Sequence, residues 1–86
     1  MKIIKRDGRV VDYDRQKISI AIEKANQEVK GKEKATKEEI KDIIEYIEDF
    51  GKKRMLVEDV QDIIEEKLMD IGKYELAKKY IVYRYT

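Results

Sequence analysis

The sequence predicts an α+β fold, mainly α, in which an N-terminal two-stranded β-hairpin caps a bundle of four short helices. Three observations carry this. Two short runs rich in Ile and Val, Lys2 to Arg6 and Arg9 to Tyr13, flank Asp7-Gly8. An Asp-Gly pair between such runs is the strongest short-range hairpin signal. Apolar residues then recur at i, i+3, i+4 and i+7 in successive stretches, the spacing of amphipathic helices. Asp14, Thr36 with Glu39, Gly51 and Gly72 punctuate those stretches as helix starts and stops.

A two-residue Asp7-Gly8 turn sets a register that pairs Arg6 with Arg9, Lys5 with Val10, Ile4 with Val11 and Lys2 with Tyr13. Side chains alternate faces along a strand. Ile4, Val11 and Tyr13 therefore share one side, and Ile3, Lys5, Val10 and Asp12 the other. A lone hairpin is marginal in water, so this one must dock on helices. Asp14 caps a first helix over 15–29, with Ile18, Ala21, Ile22 and Ala25 inward. A polar connection around Gly31 leads to Thr36 and Glu39, which form a capping box. The second helix, 37–50, buries Ile40, Ile43, Ile44 and Ile47. Lys52 to Leu56 reads as a basic loop. A third helix over 57–71 turns Val60, Ile63, Ile64 and Leu68 inward, and Gly72 closes it. A fourth, 73–85, carries Leu76, Ala77, Tyr80, Ile81 and Tyr83. Residues 1–86 read as one domain.

A chain of 86 residues buries about 60% of its unfolded surface, enough for one modest core. Cysteine and histidine are both absent. That excludes disulfides, thiolate metal sites, cysteine nucleophiles and the commonest general base. No apolar run reaches the roughly 18 residues of a membrane span, and a cytoplasmic location is expected. Charged residues make up 45% of the chain, yet the net charge is only +1. The Lys/Glu-rich bias resembles that of proteins from hot environments. Near-neutrality argues against nucleic-acid binding, which shows a basic domain or stripe. Positive charge is nonetheless concentrated. Residues 1–17 hold six Lys or Arg against three acids, which favours a small anion over a long polyanion.

Lys5 and Arg6 end the first strand, and Lys17 lies in the first turn of the first helix. The hairpin returns the chain, so that helix starts close to the first strand. Helix N-termini favour phosphate, and these cations beside one would make a polyphosphate pocket. Charge alone favours a solvated surface with weak ion pairs over such a pocket. Tyr74, Tyr80, Tyr83 and Tyr85 are able to stack on bases, but their helical placement favours packing. The pairs Glu38-Glu39, Glu48-Asp49, Glu58-Asp59 and Glu65-Glu66 read as solvated helix faces rather than a metal or acid–base site. No Gly-rich phosphate loop and no nucleophile–base pair is present.

The stretch KRDGRVVDYDRQKI resembles the signature of the ATP-cone. This is the nucleotide-binding regulatory domain at the N-terminus of many ribonucleotide reductases, also found in the repressor of reductase genes. Ile3-Ile4, Lys5-Arg6-Asp7-Gly8, Tyr13, Asp14, Lys17 and Ile18 satisfy its pattern. The stretch LVEDVQDIIEEKLMDIGKYELAKKYIVYR is similar to the family's third and fourth helices. The resemblance covers essentially the whole chain. It implies a small hairpin capping a four-helix bundle and an effector, ATP or dATP with Mg²⁺. It implies that Lys5, Arg6 and Lys17 contact phosphates, that Asp14 and Ile18 lie near sugar and base, that Ile3 lines the pocket, and that Val57, Val60 and Gln61 close over the nucleotide. Val11 departs from the many members that carry an acid there, and in the register above Asp12 points to the other face. The implied partners are an adenine nucleotide and a reductase catalytic domain or other cone domains, with homo-oligomers in view. The implied role is regulatory and not enzymatic. A second reading is a small nucleic-acid- or protein-interaction module that docks through its basic hairpin.

Overall fold

The computed structural model describes residues 1–84. In chain order the elements are β1 (Lys2–Ile4), β2 (Val10–Asp12), α1 (Arg15–Asn26), a 3₁₀ turn (Gly31–Glu33), α2 (Lys37–Glu48), β3 (Arg54–Leu56), α3 (Val57–Asp70) and α4 (Tyr74–Arg84). The mainly α fold with an N-terminal hairpin is present. The hairpin, however, is two-thirds of a sheet. β1 lies at its centre, antiparallel to β2 and parallel to β3. The stretch expected as a basic loop thus supplies a third strand. Only Met55 of β3 is buried, between exposed Arg54 and Leu56. Three residues with one inward side chain give no readable alternation, and the flanking cations are typical of an edge strand.

The hairpin register also differs from the expected one by a residue. Ile3 pairs with Val11 and Ile4 with Val10. The loop has three residues, not two: Gly8 N donates to Lys5 O at 2.9 Å and Lys5 N to Arg9 O at 2.8 Å. Gly8 has φ 86°, the left-handed position that ends a three-residue hairpin loop in a G1 bulge. Asp7 helps select it, since its Oδ1 accepts from Arg9 N at 3.1 Å and its Oδ2 from Arg9 Nε at 2.7 Å. These two bonds hold the Asp7 carboxyl below the usual range. A one-residue slip reverses every side chain. Ile3 and Val11 therefore share the core-facing side, and Val10 is exposed.

The helices begin where their caps require. Asp14 Oδ1 accepts from Gln16 N at 3.0 Å and starts α1. Thr36 and Glu39 form the reciprocal capping box of α2. α1 ends at Asn26, short of the expected 29. From there the chain tightens into i→i+3 bonds, and the Asn26 amide clamps both backbone groups of Ala35 at 2.9 Å. α2 likewise ends at Glu48, with Phe50 N and Gly51 N bonding three residues back. α3 stops at Gly72, where Lys73 N reaches Leu68 O and Gly72 N reaches Met69 O. This is a Schellman closure, which needs the left-handed φ of 80° that Gly72 adopts. Glu33 of the 3₁₀ turn caps α4 by accepting from Glu75 N at 3.2 Å. The expected end of α4 at Tyr85 lies outside the described residues.

α1 packs on α2 and α4, and α3 packs on the same two helices, so α1 and α3 stand diagonally opposite. Ile22, Ile47, Ile64, Leu68 and Leu76 are the largest fully buried side chains. The sheet sits over one end of this core through Ile3 and Met55. Above the core, beneath the sheet, the diagonal pair α1 and α3 leaves a gap.

Candidate functional site

That gap is a cavity of about 200 Å³. Two helices build its walls with the same spacing. Asp14, Lys17, Ile18 and Ala21 come from the start of α1, and Val57, Val60, Gln61 and Ile64 from the start of α3. Each set follows i, i+3, i+4, i+7, one helix face. The sheet contributes Ile3 and Lys5 from the β1 side and Val11, Asp12 and Tyr13 from the β2 side, and Tyr80 of α4 completes the lining. The lining is predominantly aliphatic, with two ammonium groups, Lys5 and Lys17. An apolar chamber with a few converging polar groups is the usual form of a small-molecule site. At about 200 Å³ it is smaller than the roughly 300–1,000 Å³ of complete ligand pockets. It has room for the flat part of a ligand, with the remainder outside.

Of the residues picked from sequence, Ile3, Lys5, Asp14, Lys17, Ile18, Val57, Val60 and Gln61 are brought together around this one cavity. Arg6 is not part of the lining. Its Nε lies 3.2 Å from Glu58 Oε1, and Nη2 donates to Gln61 Oε1 at 3.4 Å. Asp12, expected on the face opposite Val11, lines the cavity together with Val11, and its carboxylate pairs with the Lys2 ammonium. That partner holds the Asp12 carboxyl below its ordinary value. The N-terminus of α3 carries no side-chain cap, because its N-cap residue is Leu56. Glu58 and Asp59 in the first turn offset its partial positive charge.

Tyr13 ties the cavity wall to the second helix. Its hydroxyl donates to Glu48 Oε2 at 2.8 Å, and Arg15 Nε lies 3.2 Å from the same oxygen. Burial, and then the neighbouring carboxylate that accepts its proton, raise the Tyr13 phenol above its ordinary 10. The folded protein therefore holds this proton more tightly than the unfolded chain. The resulting stabilisation is complete below about pH 10 and fades as pH rises beyond it. Melting curves between pH 9 and 11 are expected to show a shallower alkaline loss of stability in Tyr13→Phe than in the parent. An identical slope in both would exclude this contribution.

Val11, Asp12, Tyr13, Ala21, Ile64 and Tyr80 line the cavity without having been picked. Ala21 and Ile64 were within reach, since each continues the helical spacing by one step from Ile18 and Gln61. Val11 was assigned the face opposite Ile3 only because of the register. Tyr80 was weighed as a stacking aromatic and set aside as packing; it is buried and also lines the cavity, because α4 packs against both α1 and α3.

The chain is similar to known proteins over its whole length. Residues 1–86 match the family described as the ATP cone domain. The alpha subunit of ribonucleoside-diphosphate reductase from Chlamydia pneumoniae is 40% identical over 91 residues, covering 95% of this chain and 9% of that protein. The corresponding subunit from Chlamydia trachomatis is 37% identical, covering 98% of the chain and 9% of its own length. The vitamin B12-dependent ribonucleoside-diphosphate reductase of Thermoplasma acidophilum is 38% identical over 89 residues, covering 96% of the chain and 11% of its length. The chain thus spans about a tenth of the curated relatives it matches. With the full-length match, the two sequence motifs and the hairpin-capped bundle in agreement, the chain belongs to the ATP-cone domain family.

Proposed function

We propose that this chain is a nucleotide-sensing regulatory module that binds an adenine nucleotide, ATP or dATP, in the cavity beneath its sheet. The observation that carries the reading is the placement of Lys5 and Lys17 beside an aliphatic chamber between α1 and α3. In this reading the base enters the chamber between Ile3, Ile18 and Val60, and the phosphates stay at the lysines and Arg6. Asp14, Val57 and Gln61 border the sugar and base. Mg²⁺ comes with the phosphates, since it is ordinarily held by phosphates and one or two carboxylates. No group of three or more acids that could hold a metal is found among the described residues.

The signal travels by linkage. A nucleotide shifts the module between packing states only through its different affinity for each. The partner in this proposal is a reductase catalytic body or a further cone, acting in the cytoplasm. No described helix is long and apolar enough to cross a membrane. The alternative, docking through a basic hairpin, is disfavoured by the pairing of its cations. Lys2 meets Asp12 and Arg9 meets Asp7, which withdraws these two hairpin cations from a polyanion.

Calorimetric titration with ATP, dATP, GTP and inorganic triphosphate, each with Mg²⁺, tests the reading. Adenine nucleotides are expected to bind at micromolar concentrations or below, and GTP and triphosphate more weakly. Equal, weak and salt-sensitive heats from all four would exclude it.

A further inference from the structure

Arg6 differs from the other residues expected to contact phosphate. It is held away from the cavity, on α3. It opens the three-residue loop whose left-handed Gly8 fixes the hairpin tip. From there its guanidinium reaches Glu58 Oε1 at 3.2 Å and Gln61 Oε1 at 3.4 Å. Gln61 lines the cavity together with Lys5, the residue next to Arg6. The guanidinium therefore straps the hairpin tip to α3 at the edge of the cavity. Glu58 stands in the first turn of a helix without a side-chain cap, the position that favours an anion. A phosphate arriving there wants the same guanidinium and the same helix end that this carboxylate occupies.

We propose that Glu58 sets the nucleotide affinity of the site. It holds Arg6 on α3 in the free protein, and a triphosphate must displace it to recruit the guanidinium. The inference rests on the nucleotide reading above. Binding then exchanges one charge-assisted contact for another, so Arg6 contributes less net affinity than its charge implies. Ligands without phosphates do not make the exchange. Adenosine is therefore indifferent to Glu58, whereas ATP is not. Since the pair is solvent-exposed on both sides, its worth is modest, and relieving it is expected to tighten ATP about twofold to fivefold.

The test is a double-mutant cycle with ATP and with adenosine, on the parent, Glu58→Gln, Arg6→Ala and the double variant. Glu58→Gln is expected to tighten ATP by that factor and leave adenosine unchanged. In the Arg6→Ala background the same substitution should change ATP affinity by less than about 1.5-fold. Equal tightening in both backgrounds would show that Glu58 acts only as a repulsive charge and would overturn the latch, as would unchanged ATP affinity in Glu58→Gln. Flat titrations in all four proteins would remove the nucleotide reading itself, and the latch with it. ATP binding by the parent with a null cycle removes the latch alone.

Discussion

Lys17→Ala is expected to weaken ATP binding about tenfold to a hundredfold. Lys17 lies in the first turn of α1, one helical turn after the Asp14 cap, and lines the cavity. In the proposed site its ammonium and the helix N-terminus act on the same phosphates. At an effective dielectric near 20, a contact at about 4 Å carries a gross attraction of about 4 kcal/mol. Desolvation removes part of this, and a remainder of about 1.4–2.8 kcal/mol corresponds to the stated factor. Lys24, exposed in the last turn of the same helix, is the control, and its alanine variant should bind like the parent. Calorimetry at fixed ionic strength reads both. Unchanged affinity in Lys17→Ala would remove this residue from the site.

Leu68→Ala should produce the largest loss of stability. Leu68 is 0% exposed and belongs to α3, which packs on α2 and α4. Removing a buried leucine side chain costs about 2–5 kcal/mol, because the cavity left behind does not fully collapse. A fold of this size shifts by about 4–8 °C per kcal/mol, so Tm should fall by at least about 8 °C. Met69, the next residue, is 43% exposed, and its alanine variant should stay within about 0.5 kcal/mol of the parent. A small Leu68 effect would mean that the core relaxes around the gap.

Features set by neighbours in sequence were legible. The Asp14 cap, the Thr36–Glu39 box and the inward isoleucines of α2 stand where their local chemistry puts them. Ile18, Val57, Val60 and Gln61 were chosen by the resemblance to the ATP-cone and not by spacing, and the fold sets them, with Lys17, on single faces of α1 and α3 around one cavity. What escaped was set by competition or by distance. Asp7-Gly8 fits a two-residue turn, but the Asp7 carboxylate bonds Arg9 and selects three residues. That choice moved Val11 to the face of Ile3. β3 escaped because a parallel partner some fifty residues away leaves no trace in a three-residue segment.

The pairing of β1 with β3 also bears on how the molecule comes into being. Lys2 N bonds Lys53 O, and Ile3 lies opposite Met55. The first strand therefore waits for more than half the chain before its second neighbour exists. Closing so long a loop costs entropy before any contact offsets it, and such non-local pairing slows folding. The cavity waits longer still, since its lining runs from Ile3 to Tyr80. A nascent chain emerging from the ribosome cannot complete the cavity until Tyr80 is out. Occupancy of the proposed site is then a property of the folded domain. A ligand at 100 times its Kd would deepen the folded state by about 2.7 kcal/mol, so the cell's nucleotide pool would influence how long each copy survives proteolysis.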